Sequence, residues 1–389
     1  MILPKQSHNY MRLLRREEQE PSSQRHNKID NLHQLLYTSK MDIDLDLYRR
    51  EVRVSSAPLV RLSAIDISPE RPERTFVFIH GFGGQAMQWQ YQLHKFALKN
   101  RVIALDMRGH GLSDKPSTGY DMPRIQLDLE TALDLLKVST PIVLAGHSFG
   151  GAIVTDFALN HPERVERLIL IATAGEFKLN PLFKIGLNLP TWSLRVIEPF
   201  TRNWLAGPPH ALKPFYLTNL SRWAGWEKFA KLNLPTLVIR GHRDVVFERP
   251  LFEKVAGSIV GADEEDIGVS GHMVMLERRE AVNRAISRFL GGESKKSWRD
   301  DSFIESKQER EELPAERPWL KHYEEGVPYT IGIPRIPLHH LLRSAVRRYP
   351  NRAAIYFEGA RLSYRKLNHE ANRFANALTA MGIGKGARV

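Results

Sequence analysis

The feature that most constrains the fold is a series of short apolar runs that alternate with segments of helical periodicity. The runs are "RTFVFIH" (74–80), "RVIALD" (101–106), "PIVLAG" (141–146), "RLILIATA" (167–174) and "PTLVIRG" (235–241). Between them, "PRIQLDLETALDLLKV" (123–138) carries apolar residues at helical spacing and a proline near its start. Apolar strands separated by helices predict an α/β fold with a mostly parallel sheet and helices on both faces.

The predicted α/β domain spans residues 41–290, and the segments around and within it differ in composition. Residues 1–40 are polar without sustained periodicity, which predicts a disordered N-terminal extension. Residues 176–230 are rich in Leu, Phe and Trp and broken by Pro and Gly. They predict a cap or lid, or else an ordinary pair of core helices. Residues 291–316 are charged and poor in apolar residues, which predicts a linker.

Order is expected to resume in the C-terminal segment, residues 317–389. Its sequence predicts a helix "LHHLLRSAVRRY", a hairpin "AAIYFEGARLSY" with its turn at Glu358-Gly359, and a helix "RKLNHEANRFANALTAMGI". This makes a small, incomplete α+β segment beside the larger domain.

The charge of the chain is concentrated in this C-terminal segment. The net charge is +12, and residues 331–389 carry 11 Lys and Arg against 2 Asp and Glu. We interpret this basicity as a solvated helix surface rather than as nucleic-acid binding. No apolar stretch approaches the length of about 18 residues that a membrane-spanning helix needs. The chain has no Cys, which excludes disulfides and fits a cytoplasmic protein.

One motif carries a candidate nucleophile. Ser148 lies in Gly146-His147-Ser148-Phe149-Gly150, a G-x-S-x-G pattern between an apolar strand and the helical segment "GAIVTDFALNH". Gly146 and Gly150 permit the sharp strand-to-helix turn that exposes a serine hydroxyl. A glycine-rich turn without chemistry would look the same, so the pattern alone is only moderately specific.

A serine nucleophile needs a base, an orienting carboxylate and donors for the developing oxyanion. His272, in "VSGHMVML", precedes a terminal helix, and Asp244 follows the strand "PTLVIRG". The N–H groups of Phe149, directly after the serine, and of Phe82, beside Gly81 in "HGFGG" (80–84), are the candidate oxyanion donors.

Five stretches together resemble the α/β-hydrolase-fold enzymes, a group of esterases, lipases and related hydrolases. They are "HGFGG", "DMRGHGLSD" (106–114), "GHSFGG", "VIRGHRD" and "GHMVMLERRE". The resemblance covers residues 41–290 and implies a triad in the chain order Ser148, Asp244, His272. Asp244 occupies the commoner position for the acid, whereas Glu176 occupies the position that some members use.

The remaining polar residues of these motifs are given no chemistry. The family's loop "DMRGHGLSD" is generally structural, so no role in catalysis is assigned to Asp106 or His110. His80, His147 and His242 are expected to shape loops or to form local hydrogen bonds. The histidines show no metal-ligand spacing, so neither a metal nor a cofactor is expected.

The resemblance implies a serine hydrolase that cleaves a carboxylic ester through an acyl-enzyme. The expected partner is a small-molecule ester with an apolar acyl group, and the sequence leaves the oligomeric state open. A thioesterase or a carbon–carbon bond hydrolase would use the same triad. A non-catalytic module associated with a ligase is an alternative of another class. Enzymes with an aspartate nucleophile are disfavoured by the serine at position 148.

The C-terminal segment resembles the beginning of an acyl-CoA synthetase of the adenylate-forming, AMP-binding family. The most specific part is "YPNRAAIYFEGARLSYRKLN" (349–368). The phosphate loop and the later motifs that bind ATP do not occur in this chain. We therefore expect no acid activation by this segment alone.

Overall fold

The computed structural model describes residues 44–177, 205–244, 246, 249–291, 336–357, 360–384 and 387. Several predicted features lie outside these residues. They are the N-terminal extension (1–40), the linker apart from its first residue (292–316), the centre of the cap (178–204), and the turn at Glu358-Gly359.

Eight strands form one mixed sheet with the spatial order β1-β2-β4-β3-β5-β6-β7-β8. The strands are β1 (Arg49–Ser56), β2 (Leu59–Ile67), β3 (Thr75–Ile79), β4 (Arg101–Asp106), β5 (Ile142–His147), β6 (Val165–Ile171), β7 (Thr236–Arg240) and β8 (Asp263–Asp266). β1 and β2 pair antiparallel with each other, and β2 pairs antiparallel with β4. Every other pairing is parallel. The predicted mostly parallel sheet is confirmed, and the five predicted strands are β3 to β7.

Helices connect these strands and flank the candidate site. Those of the larger domain are α1 (Gln90–Phe96), α2 (Met122–Leu135), α3 (Phe149–Asn160), α4 (Pro209–Phe215), α5 (Trp226–Ala230), α6 (Arg249–Glu253), α7 (Val274–Glu277) and α8 (Arg279–Gly291). The helix predicted over 123–138 is α2. It begins where the Asp121 side chain accepts a hydrogen bond from Arg124 N–H at 3.1 Å, a helix cap with proline in the first turn. None of the described helices is both long and apolar enough to cross a bilayer.

The core lies on the central strands. Every residue of β3 and β5 is buried, because parallel strands are covered on both faces. One of the two edge strands, β8, reads Asp-Glu-Glu-Asp and is mostly exposed. Charged residues on an edge strand disfavour pairing with another chain, and they also hide the strand from a search for apolar runs.

The C-terminal segment contains a helix, a hairpin and a second helix. They are α9 (His339–Arg348), β9 (Ala353–Phe357), β10 (Ala360–Ser363) and α10 (Tyr364–Ala380). β9 and β10 form a separate antiparallel sheet. The observed elements match the predicted helix, hairpin and helix.

The sequence did not indicate that α9 packs against the start of the larger domain. The His340 ring donates from Nδ1 to the carbonyl of Leu47 at 2.7 Å. Arginines of α9 pair with an acidic element at residues 44–51. These pairs are Arg343 with Glu51 at 2.7 Å, Arg348 with Asp44 at 2.5 Å and Arg347 Nη2 with the carbonyl of Asp46 at 2.5 Å. The basicity of this helix is therefore matched by acidic groups of the same chain.

Reversing the charge of α9 is expected to loosen this contact. In the variant Arg343→Glu/Arg347→Glu/Arg348→Glu, like charges face each other. With exposed pairs contributing about 0.2–1 kcal/mol each, protease cleavage within α9 and α10 should be about tenfold faster. The matched control, Arg365→Glu/Lys366→Glu/Arg373→Glu, changes the charge equally on α10. Equal cleavage rates for the two variants would show that the pairs between the α9 arginines and residues 44–51 do not stabilise this contact.

Candidate active site

Ser148 occupies the one-residue turn between β5 and α3. Its backbone has φ 52° and ψ −123°, a conformation that costs a non-glycine residue about 1–3 kcal/mol. The Ser148 N–H donates to the carbonyl of Ile171 at 2.9 Å. The Ser148 carbonyl accepts from Gly151 N–H at 2.8 Å and from Thr173 Oγ1 at 2.8 Å. A strained serine held between a strand and a helix is the geometry of a nucleophile elbow.

Glycines allow the backbone to close around this serine. A Cβ on Gly146 would lie 2.4 Å from the carbonyl oxygen of Gly150, and a Cβ on Gly150 would lie 2.4 Å from the carbonyl oxygen of Ile79. A Cβ on Gly81 would lie 2.9 Å from Cβ of Ser148. The loop that carries Gly81 therefore passes directly beside the candidate nucleophile.

The candidate base and acid form a hydrogen-bonded pair. His272 lies between β8 and α7, and its Nδ1 is 2.7 Å from Oδ2 of Asp244, which follows β7. The other oxygen of Asp244 accepts from Val246 N–H at 2.9 Å. The carboxylate fixes a proton on Nδ1, which leaves the lone pair of Nε2 to accept a proton.

Glu176, the competing acid, lies in a different environment. Its Oε1 accepts from Nε1 of Trp226 at 3.1 Å, and its backbone forms a bridge with Ala224. The ring nitrogen of His272 that an acid would orient lies against Asp244. The observed pair thus supports Asp244 as the acid.

Both candidate oxyanion donors are backbone N–H groups that are not used in the hydrogen bonds of their own helix or turn. Phe149 is the first residue of α3, and the first N–H groups of a helix have no acceptor within it. Phe82 is the second residue of a turn closed by Gly84 N–H and the carbonyl of Gly81 at 3.0 Å. The hydrogen bond that closes such a turn does not involve the N–H of its second residue.

His80 and Asp106 fix the loops around Phe82. His80 donates from Nδ1 to the carbonyl of Gly81 at 2.7 Å, and its Nε2 accepts from Met107 N–H at 2.9 Å. Only a neutral ring can do both, and burial lowers the pKa of His80. The Asp106 carboxylate accepts from Ala86 N–H at 2.6 Å and from Leu112 N–H at 3.0 Å. Asp106 and His80 thus organise loops, as the sequence predicts for them.

An aromatic cluster lies against the two phenylalanines that carry these donors. The rings of Phe149 and Phe177 are 5.0 Å apart, those of Phe149 and Phe215 are 5.6 Å apart, and those of Phe82 and Phe215 are 5.9 Å apart. Phe177 and Phe215 come from the described ends of the predicted cap. His110 packs beside Phe215 at 5.0 Å, and burial together with the neighbouring His80 lowers the pKa of His110 to about 3.

His242, expected to form a local hydrogen bond, contacts the neighbouring strand β8. His242 lies 2.5 Å from Oδ2 of Asp266 at the end of β8. Among the residues that the structure describes, no group of three or more His, Cys, Asp or Glu side chains is arranged to hold a metal ion.

Two family models match the chain. Residues 74–207 match the alpha/beta hydrolase fold family, and residues 342–389 match AMP-binding enzymes. Protein ABHD8 of Homo sapiens is 29% identical over 238 residues, which cover 55% of this chain and 54% of that protein. The chain thus spans about half the length of this relative.

Solved structures share the fold. Est816, described as an N-acyl homoserine lactone degrading enzyme, is 26% identical with a TM-score of 0.53, covering 62% of this chain and all of the other (100%). A thermophilic esterase from Thermogutta terrifontis is 23% identical with a TM-score of 0.53, covering 63% of this chain and 98% of the other.

The sheet order, the elbow and these matches define the larger domain as an α/β-hydrolase-fold domain. The C-terminal segment is similar to AMP-binding enzymes over residues 342–389.

Proposed function

We propose that the protein is a serine hydrolase that cleaves a carboxylic ester through an acyl-enzyme. The observation that carries the proposal is the His272–Asp244 hydrogen bond of 2.7 Å in a domain whose elbow holds Ser148 at φ 52°. A paired imidazole and a strained, glycine-flanked serine are the two parts that activation of a hydroxyl needs.

In the first half of the reaction, Oγ of Ser148 attacks the ester carbonyl carbon. Nε2 of His272 takes the hydroxyl proton, and Asp244 stabilises the imidazolium that forms. The N–H groups of Phe82 and Phe149 donate to the oxyanion. The tetrahedral intermediate then collapses, the bond to the alcohol oxygen breaks, and His272 gives its proton to the leaving alcohol.

In the second half of the reaction, water is the nucleophile and hydrolyses the acyl-enzyme. His272 takes a proton from the water as its oxygen attacks the acyl carbon. The second tetrahedral intermediate releases the carboxylic acid, and the proton returns to Oγ of Ser148. No atom is consumed except those of the ester and one water, so the cycle needs no cofactor.

Covalent labelling tests the proposal directly. A fluorophosphonate should react once per chain, at Ser148, and a panel of p-nitrophenyl esters and acyl-CoA thioesters should show turnover that the label abolishes. Absence of labelling would favour a non-catalytic module. Turnover of thioesters alone would make the protein a thioesterase with the same residues.

The acyl group of the substrate is proposed to be apolar. Support comes from the aromatic cluster against Phe82 and Phe149, since pockets for such groups are lined mainly by apolar side chains. Burying a methylene contributes about 0.8 kcal/mol. We therefore expect kcat/KM to rise about tenfold for each added pair of fully buried methylenes between acetate and laurate, until the pocket is full. Preference for acetate with a steady fall along the series would contradict an apolar acyl pocket.

A further inference from the structure

We propose that His147 is a positioning residue that fixes the main chain of His272 against β5, the strand that ends at the candidate nucleophile. Gln88 holds the His147 ring in the tautomer that this contact needs. This inference rests on the proposed function, because it concerns the placement of the candidate base. His147 is the last residue of β5, directly before Ser148. It therefore joins the nucleophile turn to the loop of the base.

The hydrogen bonds of His147 allow a single neutral form. Nε2 of His147 is 2.9 Å from the carbonyl oxygen of His272. A carbonyl can only accept, so Nε2 carries the proton. The lone pair then lies on Nδ1, which faces Nε2 of Gln88 at 3.3 Å, an amide group that donates. Gln88 thus selects the tautomer that can bind the base loop.

Burial keeps this arrangement uncharged. His147 and Gln88 are both buried, and burial, together with the neighbouring His272, holds the pKa of His147 well below its usual range. The rings of His147 and His272 are 4.8 Å apart. A neutral ring at that distance does not repel the imidazolium that His272 becomes during turnover.

The contacts connect three parts of the site. Gln88 lies in the short helix Ala86–Trp89, which follows the loop of Phe82. His147 ends the nucleophile strand, and His272 is the candidate base. Asp244 contacts the ring of His272 and His147 contacts its main-chain carbonyl, so both contacts bear on where Nε2 of His272 points. Loss of one contact leaves the base present but displaced, and a displacement of about 1 Å can cost 10²-fold in rate.

Two substitutions of the same ring separate positioning from packing. In His147→Gln the side-chain nitrogen can occupy the place of Nε2 and donate to the carbonyl of His272. In His147→Phe the ring volume remains and the donor is lost. We expect His147→Gln to keep kcat within about threefold of the parent, and His147→Phe to lose about 10–100-fold in kcat with KM within twofold. Equal kcat values for the two variants would overturn the inference.

Gln88→Glu tests the tautomer. A carboxylate accepts, so it would draw the proton to Nδ1 of His147 and leave two acceptors facing each other at the carbonyl of His272. A loss of kcat similar to that of His147→Phe is expected. Gln126→Leu is the stability control, because it removes another buried glutamine bond, to the carbonyl of Ile153 at 2.8 Å. It should lower Tm with kcat unchanged, whereas an unchanged kcat in Gln88→Glu would contradict the inference.

A readout without turnover separates this inference from the proposed function. With ¹⁵N-labelled histidine in the full chain, the signal that disappears in His147→Gln should show the proton on Nε2. A proton on Nδ1 overturns the inference even if esters are cleaved. Absence of any ester turnover, with the Nε2 proton present, would instead remove the proposed function and leave the contact between His147 and the loop of His272 established.

Discussion

Replacing Ser148 by alanine is expected to lower kcat/KM for the best ester by about 10⁴–10⁶. The attacking oxygen is lost, and the oxyanion donors alone give only residual catalysis. The fold should survive, because hydrogen bonds of the Ser148 backbone, not of its hydroxyl, hold the turn. Tm by calorimetry and kcat/KM by ester hydrolysis are the measurements.

The matched control for this variant is Thr173→Val. It removes a hydroxyl that bonds to the carbonyl of Ser148 at 2.8 Å but leaves the candidate nucleophile in place. We expect this change to lower Tm and to cost far less than 10⁴ in rate. If Ser148→Ala keeps most of the activity on that ester, Ser148 is not the nucleophile.

Replacing Asp244 by asparagine is expected to lower kcat by about 10⁴. The amide can donate to Nδ1 of His272, which stabilises the tautomer with its proton on Nε2, the nitrogen that must accept. Its paired control is Glu176→Gln, which keeps an acceptor for Nε1 of Trp226, the group now 3.1 Å from Glu176. This second change should alter kcat by less than about threefold, and the opposite pattern would move the acid to Glu176.

The central part of the fold could be predicted from the sequence, and its edges could not. β3 to β7 are buried on both faces, so they read as continuous apolar runs. β8 is an exposed edge strand with four acidic residues, and nothing in such a run signals a strand. β2 does not read as a continuous apolar run either, because Arg61, Ser63 and Asp66 interrupt it.

The candidate site shows the same division. Ser148, Asp244 and His272 stand in short local motifs, so the sequence could name them. The contact between Gln88 and His147 joins residues 59 positions apart, and Gln88 follows the "HGFGG" loop without belonging to a motif. The short helix Ala86–Trp89 packs on β3 and β4, and the pairing of β3 with β5 brings Gln88 and His147 together. Positions of this kind become visible once the tertiary structure is known.

The charge of Asp106 limits how far the N-terminus of this chain can be shortened. Asp106 is fully buried, and its cation is Arg49, 3.1 Å away on β1. Arg49 is in turn held by Asp46 at 2.7 Å. The family match starts only at residue 74, and a fragment cut there would lack β1 and β2 as well as Arg49, the ion-pair partner of Asp106. The N-terminal boundary of a fragment that keeps this ion pair is therefore set by Asp46 and Arg49, 25 or more residues before the family match begins.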